Sequence, residues 1–232
     1  MKMGIMQPYF LPYLGYWQLL AMVDKYVVLD DVNYINRGWI NRNRILINNK
    51  PTYMTIPLCG ASQNKKINEL ELFNQKESFE HIYKMIQQGY HKAPEYRNGL
   101  TLVESIFDYK GKDLQGFLMH SLRRVCNYLN IHTELLLASD IDREKKLRGK
   151  ERILYICEKM GADEYINAEG GVKLYDKADF KSRGIKLHFL KSMLPEYTQY
   201  GDEFVSALSI LDVLMFNSKS EVLQMLQAYT LF

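Results

Sequence analysis

The sequence predicts an α/β protein: a mostly parallel sheet flanked by helices. Two stretches carry that prediction. At the start, the apolar run Gly4-Ile5-Met6, the amphipathic stretch Trp17 to Val23 and the run Lys25 to Leu29 read as strand, helix and strand. Strands this close, with a helix between them, pair in parallel through a crossover. In the second half, Glu134 to Leu190 again alternates strand-like with helix-like segments. At 232 residues, 47% hydrophobic and 25% charged, the chain is long enough to bury a core and fits one α/β domain, 1–232.

The elements follow in order. Gln7 to Tyr16 separates the first strand from the first helix; Pro8, Pro12 and Gly15 interrupt both periodicities there. The second strand closes on Asp30-Asp31. Arg44 to Ile47 and Thr52 to Leu58 flank Asn48-Asn49-Lys50-Pro51, a hairpin around an Asn/Pro turn. Cys59 to Lys66 is a polar loop. A mainly helical segment, about 75–130, comes next: Phe79 to Tyr90, Leu100 to Ile106 and Asp113 to Asn130. In the last of these Leu114, Phe117, Leu118, Leu122, Val125 and Leu129 share one face. Glu134 to Ser139 is a short buried strand. Lys150 to Met160 is a helix stopped by Gly161. Glu164 to Asn167 is a strand, Asp176 to Lys181 a helix and Ile185 to Leu190 the final strand. Glu203 to Phe232 reads as helical, broken near Asn217-Ser218.

Bulk properties narrow the function. A net charge of +3 lacks the basic footprint of a protein whose main partner is a nucleic acid. Cys59, Cys126 and Cys157 are far apart and odd in number, so they form neither a disulfide framework nor a metal spacing. His81, His91, His120, His132 and His188 are scattered, and no metal site is expected. The lack of a signal segment or long apolar run predicts a cytoplasmic protein without a membrane span. Tyrosine is the outlier at 17 residues. Its ring and hydroxyl suit sugar or base recognition, and equally a Tyr-rich core.

In a parallel sheet, ligands gather at the carboxyl ends of strands. Two unusual segments belong at that edge. One is the aromatic turn, from which Gln7, Tyr9, Tyr13 and Tyr16 are candidate ligand-binding residues; the alternative is a rigid connection. The other is the acidic pair. Asp30 and Asp31 point to opposite faces of a strand, so at most one of them serves as base for an amine or holds a hydroxyl. A cap or an arginine partner is the other reading of each. The run Asn36 to Arg44 alternates arginines with amides around Trp39. Arg42 and Arg44, on one face if extended, are the candidate diphosphate clamp, with Asn41 and Asn43 as complements. Late in the chain, Ser206 or Ser209 reads as a phosphate-binding hydroxyl at a helix start or as a plain N-cap, with Asp212 one turn on. Glu169-Gly170-Gly171 and the loop Lys145 to Lys150 are weaker strand-tip candidates.

Three blocks resemble the WbqC-like family: Gln7 to Trp17 (QPYFLPYLGYW), Asp24 to Val32 and Trp39 to Ile45. Tyr197-Thr198-Gln199, Phe204 and Leu208 to Asp212 continue the likeness, so it covers nearly the whole chain. The resemblance implies a role in bacterial O-antigen or other surface-glycan biosynthesis. It implies transfer of an acyl or aminoacyl group, such as glycyl, to the amine of a nucleotide-linked amino sugar. Acyl-CoA, ATP with a carboxylate, and aminoacyl-tRNA are all compatible donors. The aromatic turn also resembles the phosphate-cradling turn of class I adenylyl- and cytidylyltransferases, which implies a nucleotidyltransferase or Rossmann-like sheet. Here Tyr13 and Tyr16 stand where those enzymes carry imidazoles. Nucleotidyl transfer and non-catalytic nucleotide-sugar binding are the alternatives.

Overall fold

The computed structural model describes residues 1–144 and 146–232. Lys145, at the head of the Lys145 to Lys150 loop, lies outside them. Lys2–Met6 (β1), Leu14–Met22 (α1) and Lys25–Val28 (β2) form the expected opening unit, with Met3 opposite Lys25 and Met6 opposite Val28 in parallel register. Gly4 permits this pairing: a Cβ there would lie 2.9 Å from the ring of buried Tyr26.

Arg42–Ile47 (β3) and Lys50–Thr55 (β4) make the hairpin. Its turn is tighter than the sequence suggested. Asn48 and Asn49 both adopt left-handed φ, 51° and 59°, the two-residue turn that matches strand twist. Lys50 and Pro51 therefore join the second strand. Leu58–Cys59 (β5) and Glu71–Leu72 (β6) form a minor ladder that brackets the expected loop, Cys59 to Lys66, and takes its first residue into a strand. Gln75–Tyr90 (α2), Tyr96–Phe107 (α3) and Leu114–Leu129 (α4) are the helical segment. Asp113 caps α4, accepting from Gly116 N at 2.6 Å. Gly89 lies so close to the hairpin that a Cβ would meet Leu46 O at 2.4 Å.

Glu134–Leu137 (β7) is shorter than expected, because Ala138–Ile141 (α5) turns at once into a helix. Gly149–Met160 (α6), Glu164–Ala168 (β8), Lys177–Ser182 (α7) and Lys186–Ser192 (β9) follow as expected. The C-terminal stretch differs from its prediction. Helix starts only at Ile210–Phe216 (α8), continues as Lys219–Met225 (α9), and gives way to a strand, Tyr229–Leu231 (β10). Ala207 at φ 53° breaks any earlier helix, and β10 pairs antiparallel with β9.

Among the described residues the main sheet has the order β10-β9-β8-β1-β2-β7, parallel except at β10. Residues alternate between its two faces. Met3, Ile5, Val27, Leu187 and Phe189 pack with Ile153, Ile156 and Phe180 of α6 and α7. Tyr26, Val28, Ile166 and Leu190 pack on the other face with α1, the hairpin, α2 to α4, α8 and α9. Parallel pairing brings the ends of β1, β2, β7, β8 and β9 to one edge. The aromatic turn and the acidic pair both start there. No helix among the described residues is long and apolar enough to cross a membrane.

A buried carboxylate ties this second layer together. Asp212, fully buried, accepts from Tyr90 Oη at 2.8 Å, Tyr197 Oη at 2.7 Å and Gln199 Nε2 at 2.7 Å. Tyr90 Oη in turn accepts from Leu46 N at 3.1 Å, so the network reaches the hairpin. Burial pushes the Asp212 carboxyl up, against the pull of its three donors. A carboxyl raised on folding contributes stability that is full below the ordinary carboxylate range and is lost as pH climbs through the raised native value. Thermal melts between about pH 4 and pH 7 should therefore show wild type losing stability relative to Asp212→Asn as pH rises. Parallel melting curves would refute this. Asp212→Ala leaves three buried donors unmatched and should cost about 1–3 kcal/mol or more.

Candidate functional site

The aromatic turn is held in a conformation its sequence does not favour. Leu11 has φ 44°, a left-handed value that a branched side chain rarely adopts. The turn persists because its carbonyls are gripped from outside. Asn43 Nδ2 donates to Phe10 O at 3.0 Å and to Leu11 O at 2.8 Å. Ser209 Oγ donates to Leu11 O at 2.9 Å. Trp17 Nε1 and Ile210 N each reach Pro12 O at 3.0 Å, and Phe10 N donates to Trp39 O at 3.0 Å. The hairpin, α1 and the head of α8 thus converge on Phe10, Leu11 and Pro12.

Between this turn and the hairpin lies a pocket of about 160 Å³, lined by Tyr9, Pro12, Tyr13, Trp39, Asn43, Arg44 and Ala207. Strand alternation places Arg42 and Arg44 on one face of β3 and buries Asn43 on the other. Arg44 lies 5.7 Å from the Trp39 ring centre and donates through Nη2 to Ala207 O at 3.5 Å. Its Nε is buried without a hydrogen-bond partner. Arg42 is engaged differently: it stacks 4.4 Å from the Tyr53 ring and bonds the carbonyls of Gly38 and Arg37. Trp39 and Tyr53, both well exposed, stack with ring centres 6.3 Å apart. The result is an exposed row of two aromatic rings, each with an arginine against it.

Tyr9 and Tyr13 have their hydroxyl pKa values raised by burial, so both remain neutral donors. Gly15 lets Tyr13 lie close: a Cβ there would meet Ser192 Oγ at 2.5 Å and the Tyr13 ring at 2.6 Å. Gln7, just beyond β1, keeps a buried Oε1 without a partner. Other candidates are turned inward. Tyr16 is buried and donates to Gln7 O at 3.1 Å. Asn41 bridges Tyr34 Oη and Ile56 O, each at 2.8 Å. Ser209 is fully buried, with its hydroxyl spent on Leu11 O and on capping Leu211 N at 3.3 Å. Ser206 borders a narrow apolar cleft that shares Tyr13 and Ala207 with the pocket.

The acidic pair lies in the turn after β2 rather than on the strand, so strand alternation does not govern it, and its two side chains take different partners. Asp30 is fully buried and accepts from Ser139 N at 3.0 Å and Asn68 Nδ2 at 3.2 Å. It fastens β2 to the start of α5. Asp31 accepts from Arg152 Nη2 at 2.8 Å, while Asp142 accepts from Arg152 Nε at 2.8 Å. Burial works against the Arg152 charge, but the two carboxylates outweigh it and raise its pKa. Asp31 and Arg152 line a separate cavity of about 540 Å³ beside α6. Among the described residues no carboxylate or imidazole lines the hairpin pocket. Among the described residues no group of His, Cys, Asp and Glu is arranged to hold a metal ion.

Sequence reasoning undervalued Tyr53, Ala207 and Arg152. The Asn48-Asn49 turn held the signal for Tyr53, since a two-residue loop sets it opposite Arg44. Nothing local marks an alanine for left-handed φ, or an arginine for partners 121 and 10 residues away.

These features define an α/β protein with clefts at the carboxyl edge of a largely parallel sheet. The chain belongs to the WbqC-like protein family, whose pattern matches residues 7–224. An uncharacterized protein of Mycobacterium tuberculosis is 27% identical over 223 residues, covering 95% of each chain. No solved structure matches.

The grip on the turn makes a prediction. Asn43 and Ser209 share the Leu11 carbonyl, so their alanine substitutions should not add. Each should destabilise by about 1–3 kcal/mol through buried groups left unpaired. A double-mutant cycle in denaturant should give a coupling of at least about 0.5 kcal/mol. Strict additivity would mean the two bonds act independently.

Proposed function

We propose that this protein acts in bacterial surface-glycan biosynthesis, binding a nucleotide-linked amino sugar in the hairpin pocket and accepting an acyl or aminoacyl group onto its amine. The observation that carries the reading is the buried, unpartnered Arg44 Nε in a pocket roofed by Trp39. A phosphate oxygen completes that guanidinium, since arginine presents a planar fork suited to it. The enclosed volume suits the diphosphate or sugar rather than a whole nucleotide. The base then stacks outside, on the exposed Trp39–Tyr53 pair. Neutral Tyr9 and Tyr13 hydroxyls supply hydrogen bonds to sugar oxygens.

We read the sheet as Rossmann-like in support. Its parallel strands run β7-β2-β1-β8-β9, so the order reverses beside β1, the position at which such sheets bind ligands. In the reaction the neutral amine attacks the donor carbonyl. An amide C–N bond forms and the donor's C–S or C–O bond breaks. The amine proton leaves with the departing group or to water. One observation favours a second reading, a nucleotide-sugar-binding protein without turnover: among the described residues the pocket lining has no carboxylate or imidazole to take that proton.

Mass spectrometry of dTDP- and UDP-amino sugars incubated with acyl-CoA, or with ATP plus glycine, separates the two. A mass increase equal to the acyl group supports transfer. Tight binding with unchanged mass across the panel supports the binding protein. Calorimetric titration tests the pocket itself. Arg44→Ala should weaken nucleotide-sugar binding by about 1.5–3 kcal/mol, and Trp39→Ala by about 1–3 kcal/mol. Arg42→Ala should weaken it less, because that guanidinium already serves two carbonyls. Unchanged affinity in both Arg44→Ala and Trp39→Ala would remove the ligand from this pocket.

A further inference from the structure

The cavity beside α6 is not used by the reading above, and its lining has a chemistry of its own. It opens at the carboxyl end of β2, between Asp31, Lys66 and the first turn of α6. The side chains of two of its cations, Lys66 and Arg148, form no ion pair among the described residues, although the Lys66 backbone N–H donates to Glu69 at 2.8 Å. A third, Arg152, is 8% exposed and fixed by Asp31 and Asp142, so its position is set before any ligand arrives. Leu29, Ile153 and Tyr175 give the same cavity an apolar wall. At about 540 Å³ it is within the range of small-molecule sites, roughly 300–1,000 Å³.

We infer that this cavity is a second ligand site, for a nucleoside phosphate. The phosphates meet Lys66 and Arg148 at the start of α6, where backbone N–H groups add to the attraction. The base lies against Tyr175 and the aliphatic wall. The core layer packed with α6 lies on the opposite face of the sheet from the layer that includes the hairpin. This site is therefore independent of the nucleotide-sugar reading.

Equilibrium titration of the full chain with ADP, and separately with inorganic pyrophosphate and adenosine, tests the assignment. ADP should bind saturably and more tightly than either fragment. Arg148→Ala and Lys66→Ala should each raise its Kd about tenfold or more, the effect of losing one charge-assisted contact. Both side chains reach the surface, so neither change should lower the melting temperature. Arg44→Ala should leave ADP affinity unchanged. No saturable ADP binding overturns the inference. So does binding that survives both Arg148→Ala and Lys66→Ala, or that is lost only in Arg44→Ala, which would assign ADP to the hairpin pocket.

Discussion

The grip of Asn43 on the carbonyls of Phe10 and Leu11 is the contact on which the rest of the hairpin site depends. Parallel pairing of β1 and β2 delivers the chain to the sheet edge, but it does not say what the next residues do. Two prolines and a left-handed leucine make a turn that would be one conformer among several if left alone. Asn43, with help from Ser209, Trp17 and Ile210, selects one. The same side chain accepts from Arg44 N at 2.8 Å, so the residue that fixes the turn also fixes the arginine facing it. Turn and hairpin are positioned by one amide, and the pocket is the space left between them.

Charge is distributed so that the two sides of the edge do different things. Asp31, Arg152 and Asp142 form a buried ionic set, and such sets contribute little net stability because desolvation offsets attraction. What the set does supply is a fixed cation and a fixed carboxylate at the tip of β2. Across the sheet, Arg44 is held by one long hydrogen bond and a ring contact, and so keeps part of its fork unspent. Arg152, giving Nε to Asp142 and Nη2 to Asp31, is held in place by two carboxylates.

Much of the fold was legible because it rests on local pattern. The β1 and β2 runs, the amphipathic faces of α2 to α4 and the Gly161 stop could all be read from pattern and capping, whereas α1, expected to be amphipathic, is buried on nearly every side. The C-terminal strand β10 was not, since Tyr229–Leu231 is too short to show a period and exists only by pairing with β9. The candidate site was legible as a set of residue types that share a pocket, and less so by which of them face it. Tyr9, Tyr13, Asn43 and Arg44 do meet at one pocket. Yet Ser209, Asn41 and Tyr16, chosen for the same polar chemistry, point inward and hold the scaffold. Residue type says what a side chain can bond to. Whether protein or solvent claims that bond is decided by contacts far apart in sequence, such as Ser209 with Leu11.

The distribution of backbone strain points to the same place by a separate route. Among the described residues, seven that are not glycine have positive φ. Four are asparagines: Asn48 and Asn49 in the hairpin turn, Asn74 before α2 and Asn130 after α4. Asparagine tolerates that conformation and is common in such turns and caps, so these four need no further cause. The other three are Leu11, Arg37 and Ala207, residue types for which the same φ is unfavourable. All three surround the hairpin pocket. Leu11 precedes the lining residue Pro12, Ala207 lines the pocket and takes the Arg44 bond, and Arg37 takes a bond from Arg42. Strain of this kind, of order 1–3 kcal/mol per residue, persists where surrounding structure enforces it, and it clusters at functional sites. A fold that needed only a rigid link between β1 and α1 has glycine or asparagine to use, as this chain does in its other turns. Placing a leucine in that link, and an arginine and an alanine at the two other strained positions beside the pocket, makes sense if their side chains or carbonyls, aimed by that backbone, are what shape the pocket.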